Sequence, residues 1–506
     1  MLAREFVEDS LYNPSYGYFA TKVEIFDPDR AASSSSPPGA KGVERAEGFD
    51  FGKFRSTAAF EDEVARRYMV FEGRGAGIEG EGEQEGPVAG EKVGRQVWHT
   101  PTELFKPWYA RSLARYLAHQ YLNPSTSPSS TLSPSSTSSA GAVHQGYPYN
   151  DLIIYEIGAG NGTLMGDILD YLAAHEPTVY ERTRYRIIEI SERLSGLQRR
   201  RAEGGGAGGG GDSAEAAVRE VRRRGHEGKV EVVRKSIFEW DRVVEEECFF
   251  IAMEVLDNFP HDVIRYDLRT LEPLQCTIAI DSTGDFTELF SPVSDPLLAR
   301  YLSLRARLPS FAANLPPPGA VHPLLSRVPL LRQAYHALPF AANLSKPEFV
   351  PTRQLELLEI LRDKFPRHRA VLADFSELGE SVEGECGPVV QTRYAGETVP
   401  CTTYLVQPGY FDIFFPTNFR TLSELYSLVM STPPSKPSTP SLPGRRAPPP
   451  SSIPGGFFTP RRQGRRLEVV DHEDFLREWA EVERTRVRDG SNPMLESYAN
   501  AKFALS

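Results

Sequence analysis

The stretch YEIGAGNGTLMGDIL, Tyr155 to Leu169, restricts the fold more than any other part of the chain. It opens inside DLIIYEI, a short apolar run with the pattern of a strand buried on both faces of a parallel sheet. Behind it, Leu164, Ile168 and Leu172 recur at helical spacing on one face, so Thr163 to Leu172 reads as a helix. The turn between them carries Gly158, Gly160 and Gly162. Residues without a Cβ suit such a turn, because they tolerate positive φ and let a helix N-terminus approach a ligand closely. A strand that passes through a bare turn into a helix is the opening unit of an α/β domain.

The same alternation continues downstream. RYRIIEI from Arg184, KVEVVRKS from Lys229 and CFFIAMEVL from Cys248 read as a second, third and fourth strand, with the charge-rich SERLSGLQRRR as a helix. HRAVLADF from His368 reads as a fifth core strand, and TTYLVQ with RLEVVD from Arg466 as the strands that complete the sheet. DVIRYDL, LQCTIAI and DFTELF predict an antiparallel excursion, and Leu297 to Phe365 a mainly helical one interrupted by prolines. The whole pattern predicts a doubly wound α/β fold, with additions before the first strand and after the fourth.

Of the 506 residues, five stretches are too poor in apolar side chains to offset the entropy of ordering them. They follow Arg30, start at Gly73, Pro124 and Glu203, and run from Thr432 through the basic Pro-rich segment with Arg445 and Arg446. Read as solvated insertions, they divide the chain into an N-terminal helical or lid region (1–122, with insertions near 31–48 and 73–92), a Ser/Pro loop (123–146) and a core (147–430, with the excursion at about 262–365). A Pro-rich loop (431–462) and a C-terminal strand with helices (463–506) complete it. The net charge of -11 argues against nonspecific binding to nucleic acid or anionic membrane, with a local basic patch as the alternative. No apolar run approaches the roughly 20 residues of a membrane span. The scattered Cys248, Cys276, Cys386 and Cys401 suggest neither a disulfide framework nor a metal knot. No histidine spacing suggests a metal either, and the first residues, with Glu5, Glu8 and Asp9, do not read as an Arg-rich organelle presequence.

The chemistry of the glycine turn follows from its neighbours. The spacing of Gly158, Gly160 and Gly162 fits the dinucleotide fingerprint poorly, and the turn has no Lys or Arg for a pyrophosphate. Glu156, at the end of the strand, would repel phosphate and attract an ammonium group. S-adenosylmethionine, a nucleoside without phosphates that carries an amino group and a sulfonium, suits such a mouth. The expected cofactor contacts are Glu156, Gly158, Gly160, Gly162 and Thr163 at the turn, with Glu189 at the end of the second strand for the two ribose hydroxyls. Ser236 and Ile237, after the third strand, are expected beside the adenine. The alternative is a tight strand-to-helix connection that binds nothing, with Glu189 an acid near a helix start.

A third cluster, AMEVLDNFPHDVI, crowds Glu254, Asp257, Asn258, His261 and Asp262 after a buried strand, which predicts that they face a cleft. In-line methyl transfer needs a desolvated, positioned nucleophile and a proton acceptor. For a guanidinium acceptor, carboxylates would clamp it and localise the lone pair on one nitrogen, the catalytic role expected of Glu254 and Asp257. Alternatively Asp257 caps a turn and Glu254 is a strand-end acid. Tyr12, Tyr16 and Tyr18 in YNPSYGYF either cover the cofactor or pack a helix end, and Glu103 either reaches the pocket or sits in the first turn of a helix.

YNPSYGYF, TPTELF, YEIGAGNGTLMGDIL, IIEISERLSGLQ, AMEVLDNFP and PGYFDIFFPTNF occur in the order expected for the MidA-like family of S-adenosylmethionine-dependent methyltransferases, which the chain resembles over most of its ordered length. Its departures from the family pattern, such as Met253 where an Asn is usual and LADFSEL where Asp-Tyr-Gly is common, resemble a divergent fungal-type member. The resemblance implies a seven-stranded class I methyltransferase sheet. From the family's mitochondrial members it implies symmetric dimethylation of an arginine on a respiratory complex I subunit, and a mitochondrial location, with the cytoplasm as the alternative. The alternative function is an assembly or scaffold protein that keeps the fold and holds a partner.

Overall fold

The computed structural model describes residues 1–29, 48–73, 96–123, 150–203, 225–311, 321–394, 397–433 and 464–506. The five low-complexity segments, including Arg445 and Arg446, lie almost entirely outside the described residues.

The core is a seven-stranded, mostly parallel sheet. Its strands are β1 (Leu152–Ile157), β2 (Thr183–Glu189), β3 (Val230–Arg234), β4 (Cys248–Met253), β5 (His368–Phe375), β6 (Glu468–Asp471) and β7 (Ala501–Leu505). Their order across the sheet is β3-β2-β1-β4-β5-β7-β6. The first five run parallel; β7 pairs antiparallel with both β5 and β6. Every residue of β1 and β4 is buried, because strands at the centre are covered on both faces.

Side chains alternate between two cores along each strand. Ile154, Ile187, Ile251 and Val371 face α1 (Trp108–Leu122), α2 (Thr163–His175) and α3 (His472–Trp479). Tyr155, Ile188, Phe250 and Leu372 face two further helices, Thr352–Lys364 and Phe419–Ser431. The first five predicted core strands and the glycine-to-helix turn therefore lie where the apolar pattern put them. The excursion strands Asp262–Tyr266, Pro273–Ile280 and Phe286–Pro292 do form an antiparallel sheet. Against it packs the N-terminal helix Ala3–Tyr12, with Phe6 edge-on to Phe286 at 4.9 Å and Arg4 paired to Asp262 and Asp295 at 2.6 Å each.

One expected strand is absent from the large sheet. TTYLVQ forms no strand: Tyr404 and Val406 pack into the third core, where the Tyr404 ring lies 5.6 Å from that of Phe349. The seventh position belongs instead to AKFAL at the end of the chain, inserted between β5 and β6.

Candidate active site

The carboxyl ends of β1, β2, β4 and β5 open on one cavity of about 1580 Å³. Its wall includes Glu156, Gly158, Gly160, Thr163, Glu189, Ser236, Ile237, Glu254 and Asp257. Of the predicted site residues only Gly162 stands outside it. That glycine begins α2 at φ +75°, and a Cβ there would meet Gln198 at 3.3 Å.

Gly158 and Gly160 also have positive φ, +69° and +52°. The space a Cβ would fill belongs to protein neighbours: Val255 Cγ2 lies 2.4 Å from it at Gly158, and Ile25 Cδ1 2.6 Å at Gly160. The loop is bare because two other segments close over it, which sequence reasoning had assigned to a ligand. One of those segments is the short strand Val23–Ile25, bonded to the site by Arg193 on the Val23 carbonyl (2.6 Å) and Asn161 on the Ile25 carbonyl (3.4 Å).

Glu156 and Glu189, at the ends of the neighbouring strands β1 and β2, both line the cavity. Glu156 accepts the Tyr185 hydroxyl at 2.9 Å, and burial pushes its carboxyl up to about 8, helped by nearby Glu189 and opposed by the tyrosine bond. Glu189 accepts the Ser191 N–H and the Gln198 side-chain amide, both at 2.8 Å. Burial raises its pKa, and those bonds pull the other way. Each carboxylate oxygen has two acceptor positions, so Glu189 keeps capacity for the two hydroxyls of a ribose. Ser236 caps the short turn Ile237–Glu239 by accepting the Phe238 N–H at 3.3 Å. Thr163 lines the wall with its hydroxyl already engaged, donating to Glu103 (2.5 Å) and accepting from Arg201 (2.6 Å).

The same cavity is lined by Glu254 and Asp257, with Tyr12, Asn258, Asp412 and the acids Glu5, Glu8 and Asp9 of the N-terminal helix. Glu254 holds φ +53°, a conformation uncommon for a residue with a side chain. Its carboxyl faces the cavity but is surrounded by protein, and desolvation, then the charge of Asp374, raises it to about 8. Asp257 is only 5% exposed and its Oδ1 has no hydrogen-bond partner. Desolvation, then Asp374, Asp412 and Glu254, push it well above the ordinary carboxyl range.

Of the other residues in that crowded stretch, Asn258 lines the cavity, donating to Asp412 at 3.2 Å. His261 and Asp262 do not. His261 stacks on Phe415 at 3.9 Å, and Asp262 is taken by Arg4 and Thr352. The two have structural partners, so crowding overstated the site.

Asp374, near the end of β5, was not expected. Its Oδ2 accepts the N–H groups of Leu256 (2.8 Å) and Asp257 (3.1 Å), and its Oδ1 that of Phe375 (2.8 Å). It thus fixes the turn that carries Glu254 and Asp257. Glu103 is equally placed: it lines the cavity, takes Asn161 and Thr163 of the glycine loop, and meets the buried Lys106 at 3.3 Å. Lys106 also pairs with Asp27 and Asp29. In the aromatic segment, Tyr12 lines the cavity with its hydroxyl on the Asn258 carbonyl (3.0 Å), Tyr18 is core, and Tyr16 is exposed.

A mostly parallel sheet whose strand ends open on one cavity, with a bare turn and an acid at the end of the neighbouring strand, is the architecture of a nucleoside-binding α/β protein. The chain belongs to the MidA-like family of S-adenosylmethionine-dependent methyltransferases: the family described as "Putative S-adenosyl-L-methionine-dependent methyltransferase" matches residues 141–433. Among curated proteins, the mitochondrial protein arginine methyltransferase NDUFAF7 homolog of Schizosaccharomyces pombe is 22% identical over 245 residues, 48% of each chain. The chain thus spans about half the length of that relative. Two solved structures from Burkholderia thailandensis also align. One, bound to S-adenosyl-homocysteine, is 16% identical with a TM-score of 0.43 over 85% of this chain and 72% of the other. The second is 18% identical with a TM-score of 0.39, over 74% and 77%.

S-adenosylmethionine is the cofactor of this family, and the cavity fits it. The turn offers no Lys or Arg of its own, the two strand-end acids suit an ammonium and a ribose, and the volume exceeds the roughly 300–1,000 Å³ of ordinary ligand pockets, leaving room for a second substrate.

Proposed function

We propose that this chain transfers a methyl group from S-adenosylmethionine to an arginine side chain of a protein substrate. The strand order, with the last strand of the chain inserted antiparallel between the fifth and sixth, supports a doubly wound class I methyltransferase sheet, with residues 147–430 as its core and 463–506 closing it. Glu156 holds the cofactor's amino group, Glu189 its ribose, Ser236 and Ile237 flank its adenine, and the backbone of the Gly158–Gly162 turn with Thr163 borders its amino-acid end. When bound, the cofactor supplies an electrophilic methyl on a positively charged sulfur.

The observation that carries the acceptor assignment is the orphaned Oδ1 of Asp257 beside Glu254, in a wall where acids cluster. A buried carboxylate oxygen without a partner is costly, and an N–H donor from a guanidinium would satisfy it. Glu254 and Asp257 would accept the N–H groups of the guanidinium and orient one nitrogen, and one of the two carboxylates would take the proton that nitrogen loses as its bond to the methyl carbon replaces the methyl's bond to sulfur. Their raised affinity for a proton suits that last role. The S. pombe relative is named a mitochondrial protein arginine methyltransferase homolog, which supports methylarginine as the product and the mitochondrion as the location. Symmetric dimethylation of a complex I subunit follows from the family resemblance alone.

Transfer of tritiated methyl to arginine-bearing peptides tests this. Glu254→Gln and Asp257→Asn should each lower kcat by about a hundredfold or more while the cofactor still binds, since general-base and clamping effects are of about that size. Label on another residue type would refute the arginine reading. Cofactor binding with no transfer to any protein would favour the scaffold role instead.

A further inference from the structure

We propose that the helix pair Pro323–Arg327 and Pro329–His336, with the turn through Phe340, docks on an anionic lipid bilayer. It would lie on the surface, since among the described residues no helix is long and apolar enough to cross a membrane.

Two independent observations meet in this segment. The first is charge. From Pro296 to Pro347 the chain contains no Asp or Glu, although acids outnumber bases in the whole protein by 68 to 57. The same stretch holds Arg300, Arg305, Arg307, Arg327, Arg332 and Lys346. Three are matched by acids from outside the stretch: Arg305 by Glu348 in the interior, and Arg300 by Glu359 and Lys346 by Glu383 at the surface. Arg307 and Arg327 stand at the exposed surface, and Arg332 is half-buried, reaching the Leu325 carbonyl at 3.4 Å. A stretch that contributes bases and no acids of its own, on an acidic protein, suits a negatively charged surface.

The second is apolar exposure. Leu325 and Tyr335 turn inward and pack against the core. The rest of the pair contributes no fully buried residue. Leu324 (55%), Leu330 (77%), Leu338 (58%) and Phe340 (104%) face outward instead, together with Leu331. Phe340 holds φ +66°, a conformation that a bulky residue rarely adopts.

Leu and Phe at the acyl boundary with Arg at headgroup level is the composition of an interfacial helix. A protein partner is the weaker reading, because helices of 5 and 8 residues offer little of the roughly 800 Å² per side that stable interfaces bury.

The full chain is sedimented with phosphatidylcholine vesicles, with and without phosphatidylglycerol. The expected result is at least about tenfold stronger binding to the anionic vesicles, weakened by raising salt. Leu330→Glu with Phe340→Glu should cost at least about a further tenfold, since burying each side chain is worth that much or more. Its unfolding temperature should match the parent's, because neither side chain is in the core. Absence of vesicle binding by the parent, equal binding to neutral vesicles, or a double variant that binds as well as the parent would each overturn the proposal. So would a self-associated parent that the double variant dissociates without any change in lipid binding.

Discussion

Glu156 predicts an unusual pH dependence for cofactor binding. Burial holds its carboxyl at about 8, so the acid is mostly protonated at neutral pH. A cationic ammonium binds the ionised form, and binding must therefore expel a proton. With that pKa the ionised fraction is about 1% at pH 6, about 9% at pH 7 and about 50% at pH 8. The affinity for S-adenosylmethionine should then rise nearly tenfold from pH 6 to 7 and only about threefold from pH 7 to 8, where the ligand's ammonium begins to lose its charge. Above that it levels and turns over, because an α-amino group loses its own charge near pH 8. Calorimetric titration in two buffers of different ionisation enthalpy measures the constant and the protons released together. At pH 7 nearly one proton should leave per cofactor bound, and Glu156→Gln should abolish both the release and the acidic limb while weakening binding. A parent affinity flat between pH 6 and 8, or a Gln variant with the same slope, would refute the placement of the ammonium at Glu156.

Other perturbations follow from the same geometry. Gly158→Ala adds a Cβ 2.4 Å from Val255 at φ +69°, and backbone strain plus overpacking should cost about 2–4 kcal/mol, read by urea unfolding. Gly160→Val should displace Ile25 from the loop and weaken cofactor binding at least about tenfold by calorimetry; wild-type affinity would move the site elsewhere. Asp374→Asn replaces an acceptor of three backbone N–H groups by a group that can repel one of them, so kcat should fall about tenfold to a hundredfold with cofactor affinity within about twofold. Glu156 and Glu254 at about 8, and Asp374 and Asp412 at about 7, have folded pKa values raised above the unfolded ones, so the folded state holds the extra protons. The protein should therefore lose stability as pH rises from about 4.5 to 8, and a scan of Tm against pH should fall over that window, less steeply in Glu254→Gln.

Much of the core was legible because central parallel strands must be apolar on both faces: LIIYEI and CFFIAM need no alternation to be recognised. Glu156 and Glu189 were legible for the complementary reason, as acids ending such runs. Asp374 carries the same signal in HRAVLADF, but its task is to hold amides 117 and 118 residues away, and no local pattern points to them. Glu103 and Lys106 likewise act through a buried ion cluster that joins Asp27 to the glycine loop from a distance. The glycines do form the strand-to-helix turn, but the space they leave at Gly158 and Gly160 is filled by Val255 and Ile25, which no local pattern shows. His261 and Asp262 looked functional by proximity in sequence, and only the partners brought by Phe415 and Arg4 show otherwise.

A crystal structure of the chain with S-adenosyl-homocysteine tests the central claim most directly. The account predicts the nucleoside in the 1580 Å³ cavity, ribose hydroxyls on Glu189, adenine beside Ser236 and Ile237, and the amino group at Glu156 with its Tyr185 bond retained or exchanged. A ligand bound elsewhere, or lying with its adenine toward Glu254 and Asp257, would contradict it.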